Sequence, residues 1–170
     1  MARPATPKLP KEKTLISEVL QRVSNAKNKA AKIKILKEYD TMALRKVLLC
    51  NYSETIRFCF PAGRSPYNVP DEKKDMPVGV EGEHTWLMSE HRQIDKFCAK
   101  NMNGTWFFGD SGQPKPSIPQ LRKEQLWVQL LENLHPDEAE VLDLVKDKKI
   151  NSKYKITKQN VVDAFPDLLK

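Results

Sequence analysis

The stretch QLRKEQLWVQLLENLHPDEAEVLDLVKDKKI, residues Gln120 to Ile150, decides the fold of this chain. Its apolar residues recur at helical spacing on both sides of Leu134-His135-Pro136. They are Leu126, Trp127, Leu130, Leu131 and Leu134 up to this break, and Val141, Leu142 and Val145 after it. Such spacing predicts two amphipathic helices joined at one short break. We expect the rest of the chain to pack against this pair of helices.

The polar residues at the break have two interpretations. His135 beside Asp137 or Glu138 is one arrangement of a general base. The other interpretation is the chemistry of a helix start, in which Pro136 occupies the first helical position and the acidic side chains complement the positive end of the helix dipole. We favour the helix start, because it gives each of these residues a positional reason.

Apolar spacing predicts further helices on both sides of this stretch. Thr14 is the expected N-cap of a first helix, a second spans about Lys29 to Tyr39, and Asp40-Thr41 caps a third. Later helices are expected at Thr85 to Lys100 and from Thr157 to Pro166. The first three helices are short and would be unstable alone in water, so we expect those three to pack together as a small bundle.

Two segments have the character of strands. Apolar and polar residues alternate over Ile56-Phe60, and the aromatic run Thr105-Phe108 is its expected partner. The Pro- and Gly-rich segments 61–83 and 109–119 are predicted to be long loops. The expected fold is therefore mainly α, a compact domain of about six short helices with a minor two-stranded β element.

Length and composition fit one domain. The chain has 170 residues, and its 39% of hydrophobic and 30% of charged residues are typical of a soluble globular protein. Residues 1–13, MARPATPKLPKEK, are predicted to be a flexible basic arm, and residues 14–170 a single helical domain. We expect no membrane segment and no secretory signal. Three widely spaced cysteines indicate a reducing compartment and no disulfide framework.

The positive charge is concentrated at one end of the chain. Residues 1–37 hold ten basic residues and two acidic ones, a net charge of +8, whereas the whole chain carries +7 and the remainder therefore −1. Such asymmetry is typical of contact with a polyanion or an acidic protein surface, although it also suits a solvated face. The predicted polyanion-binding residues are Arg3, Lys8, Lys11, Lys13, Lys27, Lys29, Lys32, Lys34 and Lys37.

Other motifs indicate no reaction. Gly109-Asp110-Ser111-Gly112 matches the nucleophile motif of trypsin-like serine proteases, but that fold is built of β-barrels, and we interpret the motif as a turn. Glycine-rich phosphate loops are absent from the sequence. The cysteines and two of the histidines lack the close pairs of a zinc site, and the cysteines are expected to be buried apolar residues. These candidate ligands are Cys50, Cys59, Cys98, His84 and His91. We expect no enzyme, cofactor, metal or small-molecule substrate.

Three segments resemble a known family. They are KIKILKEYDTMALRKVLL (Lys32 to Leu49), QLWVQLLENLHPDEAEVLDLVKDKKI (Gln125 to Ile150) and VVDAFPDLL (Val161 to Leu169). The chain is similar to small, functionally uncharacterised proteins from tailed, myovirus-type phages of marine and related bacteria. The resemblance implies a phage origin and a location in the host cytoplasm. It supplies no catalytic or binding residues.

Two functions remain open at this point. One is a non-enzymatic accessory protein that binds nucleic acid, or a replication or transcription complex, through the basic N-terminal region. The other is a structural or assembly component of the phage virion, held by the arm and the two long loops. In the first case the partner is nucleic acid or a phage or host protein complex, and the sequence leaves the oligomeric state undetermined.

Overall fold

The computed structural model describes residues 14–69 and 85–170, so the predicted arm at 1–13 and residues 70–83 of the predicted first loop lie outside this part of the chain. The described residues form seven α-helices, two 3₁₀ segments and three strands. The helices are α1 (Ile16–Asn25), α2 (Lys29–Glu38), α3 (Met42–Tyr52), α4 (Leu87–Glu90), α5 (Gln120–Asn133), α6 (Pro136–Lys146) and α7 (Lys158–Ala164). The 3₁₀ segments are His91–Phe97 and Ile150–Ser152, and the strands are β1 (Ile56–Phe58), β2 (Cys98–Met102) and β3 (Thr105–Phe108). The mainly α class is confirmed.

The predicted pair of helices is present as α5 and α6, and its break has a partner that the pattern does not show. Thr85 pairs with Leu134 in a parallel β-bridge. Its N–H donates to the carbonyl of Asn133 (2.7 Å), and its carbonyl accepts from the N–H of His135 (3.1 Å). Backbone groups that the helix break leaves without intrahelical partners are satisfied in this way.

Most helix starts follow the predicted side-chain chemistry. Thr41 caps α3 through Leu44 N–H (3.1 Å), and Thr157 forms a capping box with Asn160 at the start of α7. The prediction for α1 is wrong, because the cap residue is Leu15 and Thr14 plays no such role. Leu15 has no side-chain acceptor to offer, so another residue must serve the first N–H groups of this helix.

Glu138 supplies that acceptor. Its carboxylate is fully buried in α6, and it accepts the N–H of Ile16 and the N–H of Leu87, each at 2.7 Å. These are the first residues of α1 and α4, so one carboxylate caps two helices that are far from it in sequence. Burial raises the pKa of Glu138 to about 7, although the two N–H groups favour the ionised form.

The sheet differs from the prediction. Both predicted strands exist, but they do not pair with each other, because β2 lies between them in a three-stranded antiparallel sheet of order β1-β2-β3. Phe58 faces Cys98 across the first pair, and Ala99 faces Phe108 across the second. Ile56-Phe60 and Thr105-Phe108 therefore do not form the expected two-stranded element.

The segment that supplies β2 was assigned to a helix. Only Leu87–Glu90 of the predicted helix at Thr85 to Lys100 is α-helical, and a 3₁₀ segment leads from it directly into β2. β2 and β3 are joined by Asn103-Gly104, whose φ angles of 55° and 88° are both positive. An Asn-Gly pair with this backbone conformation is a strong hairpin signal, since both residues tolerate positive φ.

The core is centred on Trp127 of α5. Its ring stacks on Phe60 with the centroids 5.0 Å apart, and it contacts Phe58 and Phe97 at 5.6 and 5.2 Å. Its indole N–H donates to the Ser65 hydroxyl (2.9 Å). The long helix, the sheet and the 3₁₀ segment therefore meet at one aromatic residue.

The described part of the first loop is held by α6. The Ser65 hydroxyl donates to Asp143 (2.6 Å), and the N–H of Gly63 donates to Asp147 (3.0 Å). Lys146, whose side chain is 1% exposed, donates to the carbonyl of Pro61 (2.9 Å). Residues 61–69 are thus ordered by contacts within the chain.

The second loop, 109–119, is built around a buried ion pair. Asp110 and Lys123 lie 3.3 Å apart with 1% of each side chain exposed. Asp110 also accepts the N–H groups of Ser117 (3.0 Å) and Ile118 (2.8 Å). Burial opposes ionisation, but the N–H of Ile118 and the ammonium of Lys123 lower the pKa of Asp110 overall.

We expect Trp127→Ala to destabilise the protein by about 3–5 kcal/mol, because it removes the aromatic centre of the core and leaves a cavity. The free energy of unfolding by urea measures this loss. Leu121→Ala, at a position of α5 that is 69% exposed, is the control and should change stability by less than about 0.5 kcal/mol. Similar losses in the two variants would contradict the central role of Trp127.

Glu138→Gln should change how stability depends on pH. The folded protein binds a proton at Glu138 more tightly than the unfolded chain does, so protonation stabilises the fold fully below about pH 4.5, and this contribution is lost as pH rises through about 7. Relative to Glu138→Gln, the wild type should therefore lose about 3 kcal/mol of unfolding free energy between these pH values.

Urea unfolding of both proteins at a series of pH values tests this difference. Glu140→Gln is the matched control, since Glu140 is an exposed residue of the same helix. Glu140 forms an exposed ion pair with Lys153 (2.8 Å). Exposed pairs contribute less than about 1 kcal/mol, so the difference between this variant and the wild type should change with pH by less than that amount. A change as small as this for Glu138→Gln would refute the assignment.

Candidate polyanion-binding surface

Five of the nine predicted polyanion-binding residues lie in the described part of the chain. Arg3, Lys8, Lys11 and Lys13 fall outside it. Lys27 directly precedes the cap residue Asn28, and the remaining four residues belong to α2: they are Lys29, Lys32, Lys34 and Lys37. The structure therefore brings these five together on one helix and its entry.

Helix α2 separates its lysines into two sets. Asn28 begins the helix by accepting the N–H of Ala31 (2.9 Å), and Leu36 is the residue of α2 that is fully buried. Because each helical residue advances by about 100°, Lys29 and Lys32 lie on the side of Leu36. Lys34 lies opposite Leu36, about 160° away, and Lys37 lies on the flank, about 100° away.

Lys29 and Lys32 bind the C-terminal part of the fold. Lys29 forms an ion pair of 2.8 Å with Asp163 of α7, and Lys32 donates a hydrogen bond to the carbonyl of Lys155. Hydrogen bonds from Lys29 and Gln159 lower the pKa of Asp163. These two lysines thus attach α2 to α7 and to the segment before it. The charge of Lys29 is paired with that of Asp163, whereas Lys32 keeps its positive charge while it bonds a neutral carbonyl.

Lys27, Lys34 and Lys37 form what we call the outer lysine face. All three are exposed, and none makes an ion pair with another described residue. Lys34 and Lys37 are three residues apart and so are neighbours on the helix surface. Two ammonium groups on one helix, with a third in the link just before its cap residue, are suited to the repeated negative charge of a polyanion.

A further basic residue adjoins this helix from a distant part of the sequence. Lys155 is exposed, and its backbone carbonyl contacts Lys32. The charge count over residues 1–37 could not include it, because only folding brings the segment before α7 to α2. Nothing in the sequence around Lys155 indicates that this residue lies beside α2.

The residues considered for catalysis have structural partners. His135 is 2% exposed, and its Nδ1 accepts the N–H of Asp137 (3.1 Å) at the start of α6. The helix-start interpretation is therefore confirmed. Ser111 donates to the carbonyl of Lys115 (2.5 Å) within the loop 109–119, which supports the turn interpretation of the protease-like motif.

The described residues contain no group of three or more His, Cys, Asp and Glu side chains arranged to hold a metal ion. His84, one of the candidate ligands, lies outside them. Cys50 and Cys98 are buried as expected, whereas Cys59 is partly exposed. Among the helices of the described ranges, none is long and apolar enough to cross a bilayer.

Comparison with known proteins gives one positive finding. The sequence model of a family of unknown function matches residues 19–152, which include α2 and the α5–α6 pair. No curated protein matches the chain. No solved structure matches it. The outer lysine face lies inside the matched region, and the predicted arm at 1–13 lies before it.

Proposed function

The chain belongs to the DUF6433 family, whose function is unknown, and we propose that the protein is a non-enzymatic accessory factor that binds nucleic acid through its basic N-terminal region. The binding is direct or occurs within a replication or transcription complex. The observation that carries the proposal is the position of the charge. The excess of +8 in residues 1–37 includes an outer lysine face that the described fold leaves exposed.

The division of α2 supports this function. Lys29 and Lys32 contribute to packing against α7 and its approach, so they help to orient the helix. Lys34 and Lys37 then project from a fixed support, away from this contact. Their charges are held together before a partner arrives, which reduces the entropy lost on binding.

The similarity to tailed-phage proteins suggests phage DNA, or the enzymes that act on it, as the partner, with the host cytoplasm as the location. The alternative of a virion component has less support from the geometry. It rests on the arm and on two long loops that neighbours would order. Asp143 and Asp147 hold residues 61–69, and Asp110 holds the loop 109–119, while the arm and residues 70–83 lie outside the described part of the chain.

Replacing Lys27, Lys34 and Lys37 together by glutamine should weaken binding to duplex DNA, single-stranded DNA and RNA. Each lysine that contacts a phosphate releases about one counterion, so the slope of log K against log salt should fall in magnitude by about 3 for duplex DNA. Fluorescence anisotropy titrations of the full chain at several salt concentrations measure both quantities.

The control is a triple variant with the same change of charge at exposed lysines elsewhere, Lys100, Lys115 and Lys149 to glutamine. Both variants should unfold within about 0.5 kcal/mol of the wild type, since all six positions are exposed. Equal loss of affinity in the two variants would show that only net charge matters. Absence of binding to all three nucleic acids, even at low salt, would eliminate direct binding.

A further inference from the structure

The cysteines of this chain are far apart in the sequence and lie near one another in the fold. Cys50 is in the last turn of α3, Cys59 follows β1, and Cys98 begins β2. The sheet brings the last two together, because Phe58 faces Cys98 and the N–H of Cys59 donates to the carbonyl of Phe97 (2.9 Å). All three are free thiols.

Cys50 and Cys98 line the same cavity. It has a volume of about 330 Å³ and also includes Lys46, Asp95 and Phe107 in its wall. The two cysteines are only 2% and 6% exposed, so a reagent has to approach them through this cavity. Lys46 and Asp95 form an ion pair of 2.6 Å there, with 23% of the Lys46 side chain exposed.

The charges around the pair distinguish the two thiols. The neighbouring Cys98 thiol lowers the pKa of Cys50 against the opposing effect of burial, and the ammonium groups of Lys46 and Lys148 add to the lowering, while Asp95 opposes it. Lys148 is held at this place by hydrogen bonds to the carbonyls of Cys50 (2.8 Å) and Ser53 (2.7 Å). The Cys50 thiol, burial, Asp95 and Cys59 raise the pKa of Cys98.

We propose that Cys50 and Cys98 form a thiol pair that hydrogen peroxide oxidises to an intramolecular disulfide, with Cys50 as the residue that reacts first. Two observations of geometry support it: one cavity that both thiols line, and a lysine in the wall of that cavity. Cys50 and Cys98 come from a helix and a strand with 47 residues between them, so only the folded chain places them together.

Hydrogen peroxide is the only oxidant that this reaction needs. The Cys50 thiolate attacks one peroxide oxygen, the S–O bond forms, the O–O bond breaks and hydroxide leaves, which gives a sulfenic acid. The Cys98 sulfur then attacks the Cys50 sulfur, so that the S–S bond forms and the S–O bond breaks. The thiol protons and the departing hydroxides combine, and two thiols and one peroxide yield one disulfide and two waters.

Treatment of the reduced full-length protein with hydrogen peroxide tests the pairing. After the remaining thiols are alkylated, non-reducing peptide mapping by mass spectrometry should find a Cys50–Cys98 disulfide within monomers, while Cys59 is alkylated. The same treatment in guanidinium is the control, because an unfolded chain favours the shorter Cys50–Cys59 loop. A native disulfide that includes Cys59, one between two chains, or none would overturn the proposal.

Single variants test the order of reaction. Cys98→Ser should accumulate a sulfenic acid at Cys50 that dimedone traps, whereas Cys50→Ser should give no comparable adduct at Cys98. Lys46→Gln should slow the oxidation at neutral pH by about threefold or more, because less of Cys50 is then thiolate. Cys59→Ser should react like the wild type.

The outcome remains decisive if Cys50→Ser does not fold, since the wild-type peptide map and the dimedone adduct of Cys98→Ser do not use that variant. A dimedone adduct at Cys59 in place of Cys50 would refute the assignment of the first nucleophile. An unchanged rate in folded Lys46→Gln would refute the part given to the lysine.

Discussion

The carboxylate of Glu138 connects three helices of this fold. It lies in α6 and accepts the first N–H of α1 and the first N–H of α4. A helix start that is buried without a partner would leave donors unsatisfied at a cost of about 1–3 kcal/mol each. The positions of these two helices therefore depend on one side chain of a third.

The other polar residues of α6 act in a related way on the segments around it. Asp143 and Asp147 hold the chain after β1, and Lys146 is buried against the carbonyl of Pro61. Lys148, just beyond the helix, bonds the last carbonyls of α3. Helix α6 thus positions its neighbours through polar contacts as well as through its apolar face. Because these polar residues already have partners within the chain, few of them are available for another molecule.

The sequence predicted local structure well and long-range pairing poorly. Helices α2, α3, α5, α6 and α7 follow from apolar spacing and from caps such as Thr41 and Thr157, whose signals lie within a few residues. The break at Leu134 was also visible, but its bridge to Thr85 was not. The cap of α1 was assigned to Thr14 because no local pattern reveals an acceptor 122 residues away at Glu138.

The sheet shows a different reason for error. Residues Thr85 to Lys100 have apolar positions that fit a helix, yet the chain leaves the helical conformation before Cys98. The signal that was missed is Asn103-Gly104, which joins β2 to β3 with two positive φ angles. Without β2, the two recognisable strands were paired with each other.

The two candidate sites also differ in how far the sequence predicts them. A count of charge could predict which helix carries the lysines, but it could not separate those that pack from those that remain exposed. Lys29 is paired with Asp163 and Lys32 is bonded to a carbonyl of the C-terminal segment, so fewer lysines of α2 project freely toward a partner than its composition suggests. The sequence does not predict the thiol pair, since only the folded chain places Cys50 and Cys98 in the wall of one cavity. Where function depends on residues that folding brings together, spacing along the chain is a poor guide, and the three-dimensional arrangement has to be known first.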